Sequence, residues 1–178
     1  MIRLFAALLV PPLIAEGLLL RQTGLFGARW RPQDALHITL RFFGEVREDI
    51  AADLSRELEV VSASPLALNL VGVGAFGDGL DIHAVWAGVE PNPGLVHLAN
   101  ACEGAARRAG LAAGKRAYRP HLTLAYLRRP NPEAVAHWIQ ENNLLHSQTF
   151  APTSFGLYSS HITDEGSRYR LERTYPLV

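Results

Sequence analysis

The chain has 178 residues, 48% of them hydrophobic and 19% charged, with 17 basic against 17 acidic side chains. That usage excludes disorder, and zero formal net charge excludes a global field drawing a polyanion, so any phosphate preference must come from local clustering. The single cysteine, Cys102, excludes an intrachain disulfide framework and a cysteine zinc knuckle; within "HLANACEGAARR" it reads as a small buried residue on a helix.

The opening "MIRLFAALLVPPLIAEGLLL" has the makings of a secretory leader, but Pro11 and Pro12 interrupt its apolar run. The pattern predicts a strand near 2–10, then a helix near 12–24 opened by proline and closed near Gly24. No run reaches the ~18 apolar residues of a membrane span. A cytoplasmic monomer is the expectation. Further strands are predicted near 36–43, 66–74, 82–89, 121–127, 150–158 and 168–175, and helices near 47–62, 93–109 and 131–143. Pro65, Pro91, Pro93, Pro130 and Pro132 punctuate the joins. Strands and helices mix without strict alternation, which predicts an α+β protein with antiparallel sheets covered by helices on one face. With no long linker, residues 1–178 read as one compact unit.

"GVGAFG", Gly72 to Gly77, matches the dinucleotide fingerprint G-x-G-x-x-G. That fingerprint needs a helix next, because a helix N-terminus binds the pyrophosphate. The segment that follows, "LDIHAVWAGV", alternates like a strand, so the glycines read as a hairpin turn.

Two segments share an unusual pattern. "LHITLRFF" (36–43) and "RPHLTLAY" (119–126) each place His-x-Thr inside an apolar alternation, 84 positions apart. Side chains two apart on a strand share a face. His37, Thr39 and Arg41 are therefore expected on one face, opposite Leu36, Ile38 and Leu40. His121, Thr123 and Ala125 are expected to oppose Leu122, Leu124 and Tyr126. Two such strands brought together would line a cleft with two imidazoles and two hydroxyls. Two histidines supply a general base and a general acid near neutral pH, and hydroxyls can hold the non-bridging oxygens of a phosphate. In-line attack on phosphorus needs a base on the entering oxygen and an acid on the leaving one, and this set supplies both without a metal. From Gly104 to Pro132 there are seven Lys or Arg (Arg107, Arg108, Lys115, Arg116, Arg119, Arg128 and Arg129) and no acid, which suits an anionic substrate. Two alternatives stand beside this reading: unrelated surface histidines, or a zinc site. Zinc needs a third ligand, and neither strand carries an acid or cysteine on the histidine face. His97 and His137 fall on helices, and His83, His146 and His161 lack a partnered motif.

In order and spacing, "RLFAALLVP", "LHITLRFFGEV", "VGAFGDG…AVWAGV", "YRPHLTLAY" and "FGLYSSHITDEGSRYRLERTYPL" resemble the two-histidine (2H) phosphoesterases, specifically the RNA 2′,3′-cyclic phosphodiesterases once named 2′-5′ RNA ligases. The resemblance implies a bilobal fold of two pseudo-symmetric lobes, two antiparallel sheets with helices on their outer faces and a central cleft. It implies His37 and His121 as the acid–base pair and Thr39 and Thr123 as phosphate ligands. The implied reaction opens a terminal 2′,3′-cyclic phosphate on RNA to a 2′-phosphate with no cofactor or metal, and relatives also join RNA ends through 2′-5′ linkages without ATP. Many relatives carry an arginine five residues after the second histidine, where this chain has Tyr126. Arg128, Arg129, Arg41 or Arg119 could supply the missing cation, and Phe42 and Tyr126 could stack on bases. Action on a small cyclic nucleotide, and binding of RNA ends without catalysis, are the alternatives.

Overall fold

The computed structural model describes residues 1–163 and 166–177; Asp164 and Glu165 of the last resemblance block lie outside them. β1 (Ile2–Leu9) runs through the middle of the sheet, hydrogen-bonded to β3 (His37–Val46) on one side and β7 (Ser154–Thr163) on the other. Its unbroken apolar run follows from burial on both faces. Leu4, Ala6 and Leu8 join the main core, while Phe5 and Ala7 join a small cluster with Tyr158 and Tyr169 on the other face.

The remaining elements are α1 (Pro12–Leu19), β2 (Arg29–Trp30), β3 (His37–Val46), α2 (Glu48–Glu59), β4 (Leu70–Phe76), β5 (Ala84–Val89), α3 (Pro93–Arg108), β6 (His121–Tyr126), α4 (Pro132–Asn142), β7 (Ser154–Thr163) and β8 (Gly166–Pro176). All strand pairs are antiparallel, in the order β4-β5-β6-β3-β1-β7-β8, with β2 added to the end of β6. The two expected sheets therefore run on as one path, because a single pairing, Ile38 with Leu122, joins the β6 ladder to the β3 ladder. Leu54 and Leu58 of α2 and Leu95, Leu98 and Cys102 of α3 bury one face of that path, as do Val135 and Trp138 of α4. The Cys102 thiol, pushed up to about 12 by burial, is the inert core group its sequence context suggests. No helix of the described residues is long and apolar enough to cross a membrane.

Local chemistry sets the helix starts. Asn92 and Asn131 each precede a proline at N1 and cap α3 and α4, their side-chain oxygens accepting from the amides of Leu95 and Glu133 at 3.0 and 2.9 Å. α1 stops at Leu19 rather than near Gly24: the Arg21 and Gln22 amides donate three residues back, to Leu18 and Leu19, and the Arg21 carbonyl accepts the Thr23 amide at 2.9 Å and the Trp138 indole N–H at 3.2 Å. β4 starts at Leu70 rather than 66, since Leu68 pairs with Phe150 instead of with β5. The glycine-rich motif forms β4 and the turn into antiparallel β5, as the alternation after it predicts. Gly77 turns with φ 89°, and at Gly74 a Cβ would overlap the Trp86 ring.

Candidate active site

His37 and His121 are the first residues of β3 and β6. Ile38 and Leu122, the pair that joins the two strands, are fully buried on the helix side. Their neighbours therefore face away from the helices. Carried one step either way, the antiparallel register sets His37 across from Thr123 and Thr39 across from His121. The two motifs thus meet head to tail about one backbone pair, and the pairing expected from their repetition is present.

Both imidazoles are oriented by the same device. The Nδ1–H of His37 donates to the Ala35 carbonyl at 2.8 Å, and that of His121 donates to the Arg119 carbonyl at 2.6 Å. Each bond reaches two residues back, to a carbonyl just before the strand. Nδ1 therefore carries the proton and Nε2 keeps its lone pair. His83 makes the same bond to Asp81 at 3.0 Å, so it is the facing of two such histidines that distinguishes the site.

Alternation predicts the faces correctly for three residues and then fails, for one reason in both strands. β1 pairs Ala7 with Thr39 but Ala6 with Arg41, leaving Leu40 as an extra residue. β5 pairs Trp86 with Thr123 but Val85 with Ala125, leaving Leu124 as an extra residue. A bulge of this kind reverses the alternation beyond it. Phe42 and Tyr126, each five residues past its histidine, return to the histidine face and line the cavity there. Arg41 turns the other way: it ion-pairs with Glu103 of α3, donates to the Ala112 carbonyl at 3.0 Å, and lies over the Phe43 ring. The expectation that Arg41 shares the histidine face is thereby corrected, as is the grouping of Tyr126 with Leu122 and Leu124. Ala125, expected beside His121, is buried in the main core.

The cavity holds about 300 Å³. His37, Thr39 and Phe5 contribute one side, Phe42, Tyr126 and Tyr169 form walls, and Arg3 and Arg29 bring positive charge. His37 stacks on Phe5 at 4.9 Å and meets the edge of Tyr169 at 5.2 Å. His121 stands across the seam, with Phe76 edge-on at 4.7 Å.

The cation that sequence reading could not place is Arg31. It is 8% exposed, its guanidinium lies 5.5 Å from the Tyr126 ring and 5.2 Å from the Tyr169 ring, and it donates to the Ser167 carbonyl at 3.4 Å. No carboxylate among the described residues pairs with it. A signal existed in "RWR", residues 29–31: Trp30 points to the core against Trp138, so Arg29 and Arg31 point the other way. Tyr126 thus occupies the place where an arginine is expected and has Arg31 over its ring. Arg119 lies exposed at the start of β6, where its backbone carbonyl holds His121. Arg128 is exposed and lines a neighbouring cavity. Arg108 pairs with Glu57 on the helical layer, so the basic stretch does not face the site as a whole.

The two histidines differ in electrostatics. Burial, aided by the nearby charge of Arg31, lowers the His37 pKa from 6.5 to about 4. His121 is lowered by burial too, with Arg119 adding to it. Both shifts favour the neutral imidazole at pH 7, and a bound anion would favour the charged form of either. No cluster of three or more His, Cys, Asp or Glu suited to a metal occurs among the described residues.

An antiparallel sheet backed by helices, with two facing His-x-Thr motifs beside a buried cation, defines a two-histidine phosphoesterase architecture. The comparisons agree. The 2′-5′ RNA ligase superfamily matches residues 15–162, and the chain belongs to that family. It is 31% identical to an RNA 2′,3′-cyclic phosphodiesterase of Archaeoglobus fulgidus, over 97% of this chain and 99% of that one. It is 32% identical to the Escherichia coli protein of the same name, over 94% and 92% of the two chains. Among solved structures, E. coli LigT complexed with 3′-AMP superposes with a TM-score of 0.80 at 28% identity, covering 99% of this chain and 98% of LigT.

Proposed function

We propose that the chain is a metal-independent hydrolase that opens the 2′,3′-cyclic phosphate at an RNA end to a 2′-phosphate. The observation that carries this reading is Arg31: a buried guanidinium near His37, with no carboxylate partner among the described residues, suits an anionic group. The names of the relatives supply the RNA.

In the proposed reaction the cyclic phosphate lies between the two motifs, its free oxygens accepting from Thr39, Thr123 and Arg31. His37 is held neutral by burial and by Arg31, and its Nε2 takes the proton from the attacking water. The water oxygen bonds to phosphorus as the bond to the ribose 3′ oxygen breaks. His121, charged once the anion is bound, gives its Nε2 proton to that oxygen. The phosphate remains on the 2′ oxygen. An RNA 5′ hydroxyl in the place of water would leave a 2′-5′ linkage by the same exchange. The unit of function is the whole chain, each half giving one His-x-Thr.

The test is incubation of a cyclic-phosphate-ended oligonucleotide with and without a strong chelator, followed by identification of the product isomer. Equal turnover to the 2′-phosphate is expected. A 3′-phosphate product, or activity lost in chelator and restored by one divalent ion, would overturn the mechanism.

A further inference from the structure

A second cavity, of about 400 Å³, adjoins the first and is lined by Gly27, Arg29, Tyr126, Leu127 and Arg128. Arg29 and Tyr126 line both cavities, so the two share a wall. We propose that this second cavity is a subsite for the penultimate nucleotide of single-stranded RNA whose cyclic end occupies the histidine site. The inference rests on the cyclic-phosphate reading above.

The chemistry of the substrate fixes what a neighbouring subsite must hold. A cyclic phosphate uses both the 2′ and 3′ oxygens of the last ribose, so the strand can leave the site only through that nucleotide's 5′ phosphodiester. The next groups along the strand are therefore one negative charge, then one ribose and base. Arg29 and Arg128 are exposed, and neither pairs with a carboxylate among the described residues. They give the cavity two positive charges for that phosphodiester. Phe26 adjoins Gly27 and is fully exposed, with no side chain packed over its ring. Gly27, at φ 72°, is the turn that leaves the ring outside. A flat aromatic beside a basic cleft is the combination that takes an unpaired base of any sequence. On the far side, Arg129 holds a left-handed φ of 47° just before Pro130, a conformation unusual for a side-chain-bearing residue. That turn follows Arg128 directly. Two segments far apart in sequence, one leading into β2 and one leaving β6, thus bring Arg29 and Arg128 to a single cavity, with Phe26 next in the chain to its lining residue Gly27.

The test compares a 2′,3′-cyclic mononucleotide with a dinucleotide ending in a 2′,3′-cyclic phosphate, in the intact chain and in a Phe26→Ala/Arg128→Gln variant. Both positions are exposed, and matching thermal unfolding of the two proteins checks the fold. The intact chain should favour the dinucleotide by about tenfold in kcat/KM. The variant should bring that preference to within about twofold while leaving mononucleotide kinetics unchanged. A dinucleotide with an uncharged methylphosphonate linkage should lose most of the advantage in the intact chain. Equal kcat/KM for both substrates in the intact chain, or a dinucleotide advantage that survives the double variant, would overturn the subsite. Equilibrium binding of the mono- and dinucleotide 2′-phosphates, read against the same variant, separates this inference from the catalytic one. Failure to hydrolyse either cyclic compound sinks the hydrolase reading, whereas the binding ratio decides the subsite by itself.

Discussion

The two His-x-Thr strands share a backbone plan and differ in what surrounds it. Each begins at its histidine, ties Nδ1 to a carbonyl two residues back, and bulges at the residue after its threonine. Around His37 the environment is closed: Phe5 and Tyr169 cover the ring, and Arg31 lies nearby. Around His121 it is more open, with one aromatic edge and an exposed arginine before it. A repeated motif sets the positions of the groups, and in the proposed reaction it is their unequal burial that would divide the proton-taking and proton-giving work between them.

The most severe way to break this comparison is to remove the imidazoles. His37→Ala and His121→Ala should each cost at least ~100-fold in kcat, and the double variant should lose less than the product of the two. A single variant with near-normal turnover would remove that histidine from the chemistry. Next in size is the cation. Arg31→Met should lower kcat/KM by up to roughly 100-fold. Because Arg31 adds to the burial that holds the His37 pKa down, its loss should also move the acid limb of the pH profile upward. Adding Tyr126→Arg to that variant should recover part of the activity, and no recovery would mean that the two positions do not serve one anion.

The closed half also predicts an acid liability. His37 binds its proton less readily folded (pKa about 4) than unfolded (6.5), so between those values the unfolded chain holds more protons. Stability should therefore fall as the pH drops below about 6.5, by on the order of 2 kcal/mol between pH 7 and pH 5. His37→Gln should flatten that part of the curve in denaturant titrations, and an unchanged slope would mean that His37 is not the group responsible. The smallest expected effects are those of the hydroxyls. Thr39→Val and Thr123→Val should each cost about tenfold in kcat/KM, since each removes one hydrogen bond to a charged oxygen. Comparable losses would mean the halves share the phosphate evenly, and a loss confined to one would assign it to that half.

Much of this was legible in the sequence for physical reasons. Period-two alternation placed His37, Thr39, His121 and Thr123 on one face, because up to the threonine both strands are regular. Pro93 and Pro132 marked the starts of α3 and α4, because proline tolerates the first helical position. What failed lay just past each threonine. A bulge leaves no composition signal, since Leu40 and Leu124 are ordinary strand residues, so strict alternation puts Arg41 on the histidine face and Tyr126 opposite it, the reverse of where they lie. Arg31 escaped because β2 is two residues long, too short for a periodicity to register, and its closeness to His37 is a product of tertiary pairing with β6.

The single pairing of Ile38 with Leu122 has a mechanical consequence. Each imidazole belongs to a well-stitched ladder, β1 with β3 or β5 with β6, whereas only one backbone pair ties those ladders together. The sheet is therefore stiff on either side of the reactive groups and compliant between them. A small splay about this seam would widen or narrow the gap between the two imidazoles while leaving the other strand pairings in place. In the proposed reaction, such a splay would let one scaffold admit a strained five-membered cyclic phosphate and release the longer, freely rotating monoester made from it.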